Sequence, residues 1–174
     1  KLAGLGHTVM DLPATEKGKF LGRTRQAAVA AFQPELRSKA MRIREDERGL
    51  VISLAADAFF GPASADVRLE QSRAPLQKLA AFMSQPDMAG RKFRIEGHTD
   101  SVPTDRNSRY ATNWELSAAR AINILHTLVD YGVDDQRCQV AGFADTVPLA
   151  ANDTPEGRAY NRRVDVILLF EGHL

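Results

Sequence analysis

One cysteine, Cys138, stands in a chain of 174 residues, so no disulfide can close within it. Cys138 falls in a stretch of strand character at 136–143 and is expected to be a small buried filler. A reactive thiol needs an electropositive, exposed setting. No run of about 18 apolar residues occurs, so no segment reads as a membrane-spanning helix. The chain begins at Lys1 without a secretory signal pattern; the expectation is a fragment whose membrane anchor precedes it. An excess of one charge is missing too. Lys and Arg number 23 against 22 Asp and Glu, a formal net charge of +1, so no nucleic-acid partner is expected. No Cys/His cluster has zinc spacing, although His98 and Asp100 would share a face of a strand. There is no G-x-S-x-G elbow and no base partnered to Ser101 or Ser117. Glu96 and Asp100 lie near each other, as the two carboxylates of a glycoside hydrolase would, but Glu96 lies mid-strand beside Arg94. These gaps argue against an enzyme, a metal site or a cofactor.

What remains is ordinary globular material, 44% apolar and 26% charged, long enough for one domain and an arm. Residues 1–12 read as a linker. Residues 15–32 read as a helix, with Thr15 as N-cap and Pro34 as its end. Met41, Ile43, Leu50, Ile52 and Leu54 alternate with other residues about a turn at 45–49, which predicts a hairpin. Leu76, Leu79, Ala80 and Met83 predict a helix ending before Pro86. Pro75 is tolerable only in a first turn, which places the start near Ser72. Residues 92–98 form a strand with Phe93, Ile95 and Gly97 on one face and Arg94, Glu96 and His98 on the other. A helix over 113–130 stops at Gly132. A strand over 136–143, a loop, a short helix at 156–161 and a closing strand over 163–170 complete the chain. Strand and helix alternate after the hairpin, and each amphipathic helix can cover one face of a sheet. A helical crossover between neighbouring strands allows them to run parallel.

The chemistry concentrates at 94–120. A strand end delivers Asp100, and the following helix delivers Arg120. A fixed carboxylate and a fixed guanidinium across one groove suit a zwitterionic ligand, an ammonium on the first and a carboxylate on the second. Asn113, Ser117, Arg120 and Ile124 share one helix face. Ala118, Ala121, Ile122, Leu125 and Val129 form a second, apolar one, so Arg120 is expected to avoid the core. An Asp after a strand is often a turn or cap, and a helix Arg is usually solvated, so spacing alone leaves both readings open.

The ordered blocks GHTD at 97–100, NWELSAARA at 113–121, AGF at 141–143 and EGRAYNRRVDV at 156–166 resemble the OmpA-like peptidoglycan-binding domain over about 40–170. The long polar loop before NWELS resembles the MotB-type flagellar stator proteins more specifically. Residues 60–65 resemble the family's F-x-x-G-S-A element, with Ala63 where glycine is usual. The resemblance implies an α/β fold of the α+β sandwich kind, a mixed sheet packed against helices, at 40–174. An N-terminal linker and helical arm at 1–39 would precede it.

The resemblance also implies non-catalytic binding of diaminopimelate-type peptidoglycan. Asp100 would take the ammonium and Arg120 the carboxylate. Asn113, Arg162, Thr99 and Leu116 would line the groove, and Ser117 would orient the loop. Arg163 is expected to be structural, paired with a carboxylate. The loop at 102–110 is longer than in the simplest family pattern and could cover the groove. In the full-length protein the resemblance implies a periplasmic domain on a single-pass inner-membrane helix, a homodimer, a MotA-type channel partner, and anchoring of the stator to the cell wall. An outer-membrane anchor of the OmpA or Pal kind has the same binding chemistry and stands as the alternative, with a cell-wall enzyme behind it.

Overall fold

The structure, a computed structural model, describes residues 14–170. The expected linker at 1–12 lies outside the described residues. The arm helix is present as α1 (Ala14–Ala31), beginning one residue before the expected Thr15 cap. Pro34 does more than end it: it occupies the first turn of a second short helix, α2 (Gln33–Arg37), where its missing N–H is harmless. Ala28 and Phe32 are fully buried in the same core as the sheet.

The alternation at 41–54 produces the expected hairpin. Strands β1 (Met41–Asp46) and β2 (Gly49–Ala55) pair antiparallel, with Met41 opposite Leu54 and Asp46 opposite Gly49. A four-residue helix, α3 (Ala56–Phe59), follows, and then α4 (Leu69–Met83). This helix begins three residues earlier than Pro75 led us to expect, so Pro75 is interior. The ring removes the donor that the Gln71 carbonyl would otherwise meet. Burial of Leu76, Leu79, Ala80, Phe82 and Met83 beyond the proline holds the helix together against that loss.

Strand β3 (Phe93–His98), helix α5 (Asn113–Asp130) and strand β4 (Cys138–Gly142) form the crossover unit, and β3 and β4 run parallel as expected. Gly132 takes φ 106 just past α5, a backbone angle that favours glycine. Helix α6 (Pro155–Asn161) leads into β5 (Arg163–Leu169), which inserts between β2 and β3, antiparallel to both. The sheet order is β1-β2-β5-β3-β4.

Both amphipathic helices, α4 and α5, cover the same face of this sheet, giving a mixed α+β sandwich of two layers. The α5 face pattern differs from expectation. Ser117, Ala121, Ile124 and Leu128 point inward, and Ile122 is 40% exposed. The reason lies in two strand glycines. Beside Gly97 the Ser117 backbone, and beside Gly142 the Ala118 backbone, come so close that a side chain would not fit. That contact sets the helix rotation, and it turns Arg120 inward.

Candidate functional site

Three loops converge at one end of the sheet. After β3, the Thr99 N–H donates to the Ala144 carbonyl and its hydroxyl to the Asp100 carbonyl, each at 2.8 Å. The Asp100 carboxylate is then fixed from both sides. Its Oδ1 accepts the Val102 N–H at 3.0 Å, an Asx turn, and its Oδ2 accepts Arg162 Nη1 at 2.7 Å. Helix α5 opens with a capping box. The Trp114 N–H donates to the Thr112 hydroxyl at 3.2 Å, and the Thr112 N–H to the Glu115 carboxylate at 2.9 Å. One residue into the helix, Asn113 Nδ2 donates to the Val102 carbonyl at 3.0 Å and more weakly to that of Asp100 at 3.4 Å. Asn113 thus braces the loop that carries the carboxylate. Ser117 accepts the Ala144 N–H at 3.0 Å, which ties α5 to the turn after β4 and not to the long loop it was expected to orient.

Arg120 departs from expectation. It is only 4% exposed and projects from α5 onto the loop after α3. Its Nε donates to the Ser64 carbonyl at 2.8 Å and its Nη2 to Gly61 at 3.4 Å, and the guanidinium lies 5.2 Å from the centre of the Phe60 ring. Burial lowers its pKa, the Asp57 and Asp100 carboxylates oppose that, and Arg162 adds to it. Between the two carbonyls sits Ala63, at φ 52. This is the left-handed conformation in which a Cβ is unfavourable, and it explains why a glycine suits that position.

Arg162 closes the cluster from the start of β5. Besides its bond to Asp100, it forks onto Asp57 of α3, Nε to Oδ1 at 3.1 Å and Nη2 to Oδ2 at 2.9 Å. The structure therefore brings Asp100, Asn113, Arg120 and Arg162 to one end of the sheet. Thr99 and Leu116 are buried beneath, at 4% and 5% exposure, which makes them supports of the wall more than its surface. Asp57 escaped sequence reading. Its only signal was an acid three residues before Phe60, where a helix-starting role is the ordinary explanation. At the rim of the long loop, Arg109 pairs with Asp66 at 3.5 Å, an exposed contact.

Residues 59–162 match the OmpA family. The chain belongs to that family. Among OmpA-family relatives, Motility protein B of Bacillus subtilis is 35% identical over 125 residues, covering 71% of this chain and 46% of that protein. The chain thus spans about half the length of that relative. Among solved structures, a MotB-like protein from Desulfovibrio vulgaris has a TM-score of 0.76 at 26% identity, covering 91% of this chain and 98% of the other. The cell wall anchor of the T6SS from Pseudomonas aeruginosa has a TM-score of 0.72 at 29% identity, covering 82% and 96%. No helix among the described residues is long and apolar enough to cross a membrane.

In this OmpA-family fold the other face of the sheet carries a charged network, and Tyr160 of α6 packs against its edge, its ring centre 3.8 Å from the Arg42 guanidinium. Glu96 takes both oxygens to Arg48 at 2.9 Å and pairs with Arg94 at 2.8 Å. Opposite it on β5, Asp165 accepts Arg44 at 2.9 Å, Arg163 at 3.0 Å and the Ser53 hydroxyl. Arg163 is structural, as expected. Burial acts to raise both carboxyls. For Glu96 the nearby His98 and the Arg48 bonds outweigh it, for Asp165 the Arg163 and Arg44 charges and bonds do, and both end below the ordinary range. His98 stacks on Phe143 at 5.2 Å. Its Nε2 lies 3.6 Å from Glu96 and 3.7 Å from Asp165, a trio of possible ligand atoms. Four guanidiniums already neutralise those two carboxylates, so the donor set fits a dication poorly.

Proposed function

We propose that this chain is a non-catalytic peptidoglycan-binding domain that holds the free end of a diaminopimelate residue between Asp100 and Arg120. One observation supports this above the rest. The cluster contains two carboxylates, Asp57 and Asp100, and two guanidiniums, Arg120 and Arg162, so its formal charge is zero; Arg162 is paired with both carboxylates, and Arg120 rests on backbone carbonyls instead. A zwitterionic amino-acid end has the same net charge. Arg120 spends Nε and Nη2 on carbonyls, and Nη1 makes no hydrogen bond among the described residues. That nitrogen is the donor for the ligand carboxylate. Asp100 retains lone pairs for the ammonium beyond those taken by Val102 and Arg162. Asn113 positions the loop, and Thr99 and Leu116 support it.

Residues 40–174 are the binding domain in this reading, and 1–39 the linker and arm that lead to it. The full-length protein is a MotB-type stator subunit, a periplasmic domain on a single-pass inner-membrane helix. It is dimeric, works beside a MotA-type channel subunit, and fixes that channel to the cell wall so that torque acts against an immobile frame. Likeness to Motility protein B and to a cell wall anchor supports the assignment.

The test is sedimentation with purified sacculi. Asp100→Ala and Arg120→Ala each leave one desolvated charge without its partner, at a cost of about 2–5 kcal/mol in binding. If both variants keep the wild-type circular dichroism spectrum and still sediment with the wall like wild type, the reading is wrong.

A further inference from the structure

Arg162 is shared unequally. It gives Asp57 a two-bond fork at 3.1 and 2.9 Å and gives Asp100 a single bond at 2.7 Å. A forked guanidinium is committed to its carboxylate in both geometry and charge. The two partners are also locked at the backbone, since the Ala56 N–H donates to the Arg162 carbonyl at 2.9 Å, directly before Asp57. Asp57 projects toward solvent, its side chain 60% exposed against 10% for Asp100. It therefore holds the Nε and Nη2 edge of Arg162, while Nη1 alone stays on the deeper carboxylate.

We propose that Asp57 is a specificity-determining residue of this binding site: by engaging Arg162 it keeps Asp100 electrostatically available to an ammonium, and so makes the site select ligand ends that carry both charges. The inference rests on the peptidoglycan reading above.

The physical case is one of charge balance. Without Asp57, Asp100 would face Arg120 and Arg162 alone. One carboxylate between two guanidiniums is over-neutralised, and an arriving ammonium gains little there. Such a site favours a plain anion. With Asp57 present, each guanidinium has a carboxylate counterpart, and the ammonium and carboxylate of a ligand find opposite potentials side by side. The charge environment of Arg120 agrees: Asp57 stabilises its charged form more than Asp100 does. The ordinary alternative is a surface ion pair of small energetic worth. A surface pair of that kind would leave ligand preference untouched, which separates the two.

Three synthetic stem peptides ending in diaminopimelate serve as probes in calorimetry: one with free amine and carboxylate at the side-chain end, one with that carboxylate amidated, and one with that amine acetylated. Wild type is expected to prefer the first. Asp57→Asn is expected to lose roughly tenfold toward both amine-bearing peptides while holding or gaining affinity for the acetylated one, and Asp57→Glu to restore much of the preference. Because Asp57 is exposed, the difference is expected to shrink in 0.5 M salt, where the screening length is about 4 Å. If wild type prefers the doubly charged end and Asp57→Asn weakens all three peptides equally or none of them, the inference fails while the peptidoglycan reading stands. If wild type binds none of the three, both fail.

Discussion

Placing a methyl group on each of the two strand glycines beneath α5 measures how tightly that helix governs the site. A Cβ on Gly142 would sit 2.7 Å from the Ala118 nitrogen and 2.8 Å from its Cα and Cβ. Comfortable contact is about 3.5–4.0 Å, so helix and strand must part by roughly 1 Å. A Cβ on Gly97 meets the Ser117 carbonyl head-on and remains 3.1 Å from the Ser117 Cα, a harsher collision against backbone that cannot swing aside. Overpacking of this kind costs about 1–3 kcal/mol, occasionally more. Gly97→Ala also threatens the Ser117–Ala144 hydrogen bond, worth about 1 kcal/mol more. We expect Gly142→Ala to lose about 2 kcal/mol and Gly97→Ala about 3 kcal/mol or more in urea denaturation. Gly22→Ala in α1 is the control: no atom lies within 4 Å of its Cβ, and a helix-interior alanine should gain about 0.5–1 kcal/mol. At temperatures where all three variants are folded, sacculus binding should fall in the two sheet variants alone, because α5 carries Asn113 and Arg120 away from Asp100. Stabilities for Gly97→Ala and Gly142→Ala equal to wild type, with unchanged binding, would refute the claim that glycine contacts set the position of α5.

Three further outcomes follow from local geometry. Ala63→Gly relieves a left-handed alanine worth about 1–2 kcal/mol of strain at the cost of about 0.5–1 in unfolded-chain entropy, so Tm should rise slightly; a fall in Tm is the contrary result. Glu96 and Asp165 have folded pKa values below their unfolded ones, so the stability they add is full above the ordinary carboxylate range near pH 4–5 and is lost as pH falls toward the folded values. Glu96→Gln should therefore lower stability at pH 7 and flatten its decline below about pH 5, and an unchanged slope in pH-dependent denaturation would contradict this. Burial pushes the Cys138 thiol up to about 11, so iodoacetamide should label the native chain at pH 7.5 far more slowly than the urea-unfolded chain, and equal rates would show the thiol to be exposed.

Much of this fold was legible because its strands announce themselves by period. The hairpin, the crossover helix and the closing strand appear where alternation and stop signals put them. What failed to show was tertiary override. Pro75 reads as a helix start because local propensity forbids it elsewhere, yet the apolar face beyond it carries the helix through. The α5 rotation could not be read from hydropathy alone, since Ile122 and Ile124 are equally apolar and only the glycines opposite decide which of them turns inward. Asp100, Asn113, Arg120 and Arg162 were named from family blocks, and they do gather at one end of the sheet. Asp57 was missed because nothing in sequence links α3 to a residue 105 positions away, and only the pairing of Ala55 with Arg163 makes them neighbours.

That pairing has a mechanical consequence. Met41, Leu54, Val164 and Gly97 lie in one row across the sheet, so the start of β1, where the arm joins, is at the same end as the ligand cluster. Tension between arm and ligand would therefore run sideways across β2, β5 and β3, the direction in which strands peel apart one rung at a time. Asp57 follows β2, Arg162 precedes β5 and Asp100 follows β3, and their ion pairs bind the three strand ends just beyond the last rungs. Three of the four charged groups at the ligand site thus act as a rivet where a load would begin to tear the sheet.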